Sequence, residues 1–250
     1  MPTHMLRWAL LALVLLGCGS STVSPGDSGG PDVPPGVCIG IKPPAAAWSE
    51  KPGPIVGSTD ASTDTDAEDA LDALSDAASD VDAVASDAPP PTDPHIVGSA
   101  APGYALTDIQ PLSCGYKATY GLPVYRGKVT LAVLLAGWCG FCQAQSVKLE
   151  QMRVELERAG KDVGFVIVNK ADAADHQGEL TKRCSIPILQ DLDTVQAWTL
   201  HHNGSKDDFF VYDRDGKLAD YLPVGGARDT NLSGDGYAVV KNAILAVVGK

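Results

Sequence analysis

An apolar run from Lys128 to Gly137, KVTLAVLLAG, ends directly on Trp138-Cys139-Gly140-Phe141-Cys142, and this junction constrains the fold more than any other part of the chain. Rich in Val and Leu, the run fits a strand covered on both faces. Gln143 to Gly160 (QAQSVKLEQMRVELERAG) sets Leu149, Met152, Leu156 and Ala159 at spacings of three and four, an amphipathic helix with Gly160 suited to a left-handed C-cap. Cys139 then lies at or just before the first helical turn, where several backbone N–H groups have no partner within the helix. Those donors and the positive end of the helix dipole favour a thiolate, which makes Cys139 the expected nucleophile. Cys142, one turn deeper on the same face, is expected to resolve a mixed disulfide by attacking the Cys139 sulfur.

Val163 to Asn169 (VGFVIVN) reads as a buried strand, His176 to Cys184 (HQGELTKRC) as a helix, Ile186 to Asp191 (IPILQD) as a short extended segment and Thr194 to Leu200 (TVQAWTL) as a short helix. Phe209 to Tyr212 and Leu218 to Val224 form a hairpin about the turn Asp213-Arg214-Asp215-Gly216, and Gly236 to Lys250 closes the chain as a helix. The predicted class is α/β: a mixed central sheet, part parallel βαβ and part antiparallel hairpin, flanked by helices. With a thiol pair where the first strand meets the first long helix, this order resembles the thioredoxin fold over residues 96–250.

Two other uses of Cys139 and Cys142 are weaker on chemical grounds. Structural zinc takes four ligands, commonly through a second Cys or His pair; His201-His202 is the one such cluster, and adjacent positions on one chain seldom converge on one ion. No metal and no cofactor is therefore expected. A purely structural staple would close too short a loop to remove much chain entropy.

Arg7 followed by an apolar stretch from Trp8 to Leu16 is too short for a stable transmembrane helix and reads as an export signal over residues 1–17. Leu15-Leu16-Gly17-Cys18 resembles a bacterial lipobox. This implies lipidation of Cys18, membrane attachment through it and, with Gly19 following, a Gram-negative outer-membrane lipoprotein facing the periplasm or the cell surface. Residues 18–95 are dominated by Pro, Gly, Ser, Thr, Asp and Ala, with too few large apolar side chains to offset the entropy of ordering. They are predicted to be a disordered acidic tether, whose aspartates lack the ligand pattern of a calcium loop. Lys and Arg number 3 against 14 Asp and Glu in residues 1–95, and 16 against 17 in 96–250, so the net charge of -12 belongs almost entirely to residues 1–95. A near-neutral domain with no basic stretch argues against a nucleic-acid partner.

Six cysteines in an exported chain permit disulfides. With Cys18 lipidated and Cys139 paired with Cys142, three remain. A Cys114–Cys184 bridge with Cys38 spare in the tether is one pairing that count allows, and sequence alone leaves the connectivity open.

The Trp-Cys-Gly-Phe-Cys element resembles the active site of the thioredoxin superfamily. Ala197 to Pro223 (AWTLHHNGSKDDFFVYDRDGKLADYLP), together with Lys148 to Asn169 and Ile186 to Gln190, is similar to the N-terminal domain of selenoprotein P, over about residues 112–248. That resemblance implies a thioredoxin-like domain whose redox pair has selenocysteine first and cysteine second. Cys139 stands in the first position and Cys142 in the second, with Trp138, Gly140 and Phe141 as neighbours. A thiol is a weaker nucleophile and poorer leaving group than a selenol, so peroxidase chemistry implied by the family carries less weight here.

Two departures from ordinary thioredoxins stand out. Val133 occupies the place, six residues before the first cysteine, of a buried aspartate that moves protons. Ser205-Lys206-Asp207-Asp208 stands where a cis-proline would precede the hairpin strand, and Pro187 is not expected as its equivalent. A carboxylate of Asp207 or Asp208 facing the sulfurs would oppose thiolate formation, Lys206 would favour it, and the Asp pair could equally stabilise the strand entry. The residues leave these alternatives open.

The function expected is that of a membrane-tethered thiol-disulfide oxidoreductase acting on protein or small-molecule thiols and disulfides on the periplasmic side. The alternatives are a thiol peroxidase passing through a sulfenic acid on Cys139, and a non-catalytic binding module that keeps the fold.

Overall fold

A computed structural model describes residues 33, 35–44, 93–202 and 204–249. The export signal, Cys18 and most of the acidic tether lie outside these residues. Among the described residues one mixed sheet is formed by β1 (Leu106–Asp108), β2 (Thr119–Tyr120), β3 (Val129–Leu135), β4 (Val163–Asn169), β5 (Ile188–Gln190), β6 (Phe209–Tyr212) and β7 (Leu218–Leu222). Their order is β2-β1-β5-β4-β3-β6-β7. β3 runs parallel to β4 and antiparallel to β6, β4 runs parallel to β5, and β6–β7 is the antiparallel hairpin. This is the mixed α/β, thioredoxin-like architecture that the order of segments predicts.

Every residue of β3 is buried, as a strand covered on both faces requires. Val129, Leu131, Val133 and Leu135 belong to a layer completed by α1 (Gly140–Arg158) and α4 (Gly236–Val248), through Leu149, Met152, Val240 and Ile244. Ala132 and Leu134 belong to the opposite layer with Tyr125, Phe210 and Tyr212, which the 3-10 turn Leu122–Tyr125 and α3 (Ala197–Leu200) complete. At its far end α1 closes as its sequence predicts, with Gly160 at φ +68° donating its N–H to the Glu157 carbonyl.

The helix predicted over 176–184 is shorter. A 3-10 turn, Ala171–His176, leads into α2 (Gln177–Thr181). Beyond it the Ser185 N–H and hydroxyl are drawn to Glu150 on α1, at 3.1 and 2.7 Å, and the chain straightens ahead of Pro187. The strands β1 and β2 are too short for alternation to reveal; they are held instead by Asp108, which accepts from both Ser113 and Tyr120 hydroxyls.

The N-terminal side corrects three expectations. Residues 38–41 are not free tether: the Ile39 N–H donates to the Leu112 carbonyl at 2.9 Å, and the Cys114 N–H donates to the Ile39 carbonyl at 2.9 Å. A Cys38–Cys114 disulfide fastens the segment, so the Cys114–Cys184 pairing does not form. Cys184 is a free thiol buried against the Leu180 carbonyl at 3.7 Å. The backbone around Ser113 offers a ladder to Ile39, a partnership that cysteine counting cannot reveal. The packed unit also begins before residue 96, because His95 stacks on Tyr221 at 4.1 Å.

Candidate active site

β3 delivers the chain to Gly137, whose N–H donates to Asn169 Oδ1 at 2.9 Å. Here the backbone passes so close to the His176 carbonyl that a Cβ would lie 2.5 Å from its oxygen, which excludes other residues unless the turn moves. Trp138 is thereby turned outward, with its indole N–H on Asp172 Oδ1 at 2.9 Å. Cys139 follows as the N-cap of α1: its backbone is extended and its Sγ accepts the Cys142 N–H at 3.4 Å, sulfur taking the place of the usual capping oxygen. Cys139 retains 7% exposure while Cys142 has none. Gly140 and Phe141 are exposed on the first turn. An accessible first thiol and a withdrawn second thiol fit the roles of attacking and resolving group.

The entry to β6 decides which charged side chain faces the sulfurs. The Asp207 N–H donates to the Leu134 carbonyl at 2.7 Å and the Leu134 N–H to the Asp208 carbonyl at 3.2 Å, extending the β3–β6 ladder past the strand end. At φ +68° Asp207 adopts a left-handed conformation that Asp tolerates better than most residues. Its carboxylate points inward, 1% exposed, with Oδ2 accepting from Cys142 Sγ at 3.6 Å and Oδ1 without a hydrogen-bond partner among the described residues. Both sulfurs and a carboxylate oxygen lie within 4.8 Å of one another. Asp208 turns the other way and accepts from the Ser205 N–H, the Tyr221 hydroxyl and the Val224 N–H. One aspartate of the pair therefore faces the thiols and the other stabilises the strand entry, while Lys206 is exposed.

Burial pushes the Asp207 carboxyl up to about 6, although the Cys142 contact and the nearby Lys206 charge pull it down. Burial likewise pushes the Cys142 thiol far above its usual range, and the neighbouring Cys139 and Asp207 add to the effect. Beside the thiols, Trp138, Lys170, Trp198, Ser205, Lys206 and Val224 line a depression of about 450 Å³. Lys170 Nζ lies 5.9 Å from the Trp138 ring and 5.8 Å from the Trp198 ring, so this rim is aromatic and cationic. Asn169, Lys170, Asp172 and Trp198 are site residues that sequence reasoning misses. Asn169 carries one faint signal, a polar residue ending an otherwise apolar strand.

Residues 115–225 match the family model described as selenoprotein P, N terminal region. Over that span the chain is similar to selenoprotein P. Mouse selenoprotein P is 36% identical over 103 residues, covering 39% of this chain and 27% of the mouse protein. Human selenoprotein P is 37% identical over 109 residues, again covering 39% of this chain and 27% of the relative. The matched part thus spans about a quarter of the length of these selenoproteins P. Among solved structures, a secreted Mycobacterium tuberculosis disulfide oxidoreductase homologous to E. coli DsbE superposes with a TM-score of 0.44 at 19% identity, covering 57% of this chain and 95% of that one.

Proposed function

We propose that this selenoprotein P-like domain is a thiol-disulfide oxidoreductase, anchored through a lipidated Cys18 and working on the periplasmic side of a bacterial outer membrane. The anchor rests on the Leu15-Leu16-Gly17-Cys18 sequence, outside the described residues. The observation that carries the redox reading is the stack of Cys139 at the helix N-terminus, Cys142 beneath it and the Asp207 carboxylate against Cys142.

In the reducing direction the Cys139 thiolate attacks a substrate disulfide, forming a mixed disulfide and releasing one substrate thiolate. The orphan amides of the first turn stabilise the charged sulfur. Cys142 then loses its proton to Asp207 Oδ2, attacks Cys139 Sγ and expels the second substrate thiolate. The substrate disulfide gains two electrons and the Cys139–Cys142 dithiol gives them up. Asp207 supplies the proton acceptor that Val133 cannot, from a loop instead of a strand. A carboxylate with a pKa of about 6 is ionised at neutral pH, ready to accept that proton.

Equilibrating the domain against glutathione or dithiothreitol, with mass readout, tests this. A potential between about -120 and -270 mV is expected for an exchanging pair. A value below about -300 mV would mean an inert staple and would sink the proposal. Mass analysis of the protein from membranes of a Gram-negative host is expected to find the lipid on Cys18.

A further inference from the structure

His201 and His202, adjacent in sequence, part company in the fold. His201 is wholly buried, with Nε2 3.2 Å from the Tyr104 hydroxyl. His202, at φ +59°, turns to the surface and meets His95 edge to face, ring centroids 5.1 Å apart. With Asp93 just upstream of His95, one nitrogen from each of His95 and His202 and one carboxylate oxygen lie within 4.8 Å of one another.

We propose that Asp93, His95 and His202 form a binding site for a divalent transition-metal ion of the zinc class. It lies on the layer of the sheet that holds Phe210 and Tyr221, whereas the thiols belong to the layer that holds Phe209 and Val211.

Three features prepare this cluster. His95 Nε2 lies 3.1 Å from the His201 carbonyl, which can only accept, so Nε2 carries a proton and Nδ1 is the ring atom left to present a lone pair to an ion. Nδ1 is the atom turned towards Asp93, 3.9 Å from Oδ1. An imidazole whose far N–H is held by a backbone carbonyl is the usual support for a metal-bound histidine, because it fixes tautomer and ring orientation together. The ring is also clamped flat on Tyr221, 4.1 Å between centroids at 6°, so this ligand is oriented before an ion arrives. Finally, Asp93 Oδ1 accepts the His95 N–H at 2.9 Å, which sets the carboxylate beside the ring.

Zinc bonds nitrogen and oxygen at about 2.0–2.2 Å, which sets tetrahedral ligand atoms about 3.3–3.6 Å apart. Asp93 is half-buried with its side chain 43% exposed and His202 is exposed, so both can rotate to close the difference. Two imidazoles and a carboxylate leave a fourth position for water or an exogenous ligand. An ion here would tie the start of the packed domain to the segment that leads into Lys206 and Asp207.

The test uses the full chain carrying Cys139→Ser and Cys142→Ser, which removes dithiol chelation, freed of metal and titrated with Zn²⁺ by calorimetry. One saturable equivalent is expected. His95→Phe, which keeps the stack on Tyr221, and His202→Asn should each weaken it by about tenfold or more. Circular dichroism melting in chelator should be unchanged. Absence of saturable binding, or binding within about twofold of the parent in both histidine variants, overturns the proposal. None of the three ligands belongs to the thiol site, so failure here leaves the oxidoreductase reading intact.

Discussion

Asp108 and Asp207 are both carboxylates withdrawn from solvent, 0% and 1% exposed, yet the protein treats them in opposite ways. Asp108 accepts from the Gln110 N–H at 2.9 Å, the Tyr120 hydroxyl at 2.6 Å, the Ile188 N–H at 3.3 Å and the Ser113 hydroxyl, which ties β1 and β2 to β5. Asp207 has, among the described residues, one long contact to a thiol and an oxygen with no partner. A buried carboxylate saturated by donors holds a structure together; one left short of donors keeps a lone pair available for a proton. Burial raises both, but at Asp108 it works against four hydrogen bonds, each of which lowers it.

The sharpest way to break this contrast is to remove each carboxylate. Asp108→Ala leaves buried hydroxyls and amides unpaired and should cost about 3–5 kcal/mol in urea denaturation, with the folded fraction keeping its redox potential. Loss below about 1 kcal/mol would mean that water substitutes for the carboxylate and that the two sites differ less than their contacts say.

Next in size, Cys38→Ser opens the long loop closed by the Cys38–Cys114 bridge and should cost about 2–4 kcal/mol. It leaves the chemistry of Cys139 untouched, and an unchanged midpoint would show that the docked segment adds nothing.

Asp207→Asn should act with the opposite sign on stability. The folded carboxyl, at about 6, binds its proton more tightly than the unfolded one at 3.8. Its contribution is therefore present at low pH and lost as pH rises from about 4 through 6. Removing it should stabilise the protein by about 1–3 kcal/mol at pH 7 and by nothing below about pH 4. The same variant should slow resolution of a mixed disulfide by about 10²-fold or more, and erase a rise in that rate near pH 6. Rapid-quench trapping on either side of pH 6 reads this. An unchanged pH profile in Asp207→Asn would remove Asp207 from the mechanism.

The smallest effect is expected from Lys206→Ala. Its charge lowers the Asp207 carboxyl, so the variant should move the inflection of the resolution rate upward in pH while stability stays within about 0.5 kcal/mol. A downward movement would place the dominant field elsewhere.

The β3–α1 junction was legible because its signals are local. Val and Leu density marks β3, a spacing of three and four marks the buried face of α1, and the thiols fall where one meets the other. The hairpin is legible from its own turn, Asp213-Arg214-Asp215-Gly216, and the matched residues, 115–225, fall within the span of the resemblance to selenoprotein P. Three-residue β1 and two-residue β2 carry too few positions to show a period. The pairing of Cys38 was missed because the low-complexity composition around it hides a short stretch that docks.

Sequence by itself determined the strand, the helix that follows it, the order of thiols along that helix and the class of fold, since each depends on residues within a turn or two of one another. Tertiary structure decided which aspartate faces the sulfurs, which cysteine Cys114 joins, and that His202 meets His95 while His201 is buried. Those outcomes depend on partners brought from far along the chain, 65 residues apart for Cys142 and Asp207 and 76 for Cys38 and Cys114. Burial sets their energetics, and burial exists only once both layers have closed on the sheet.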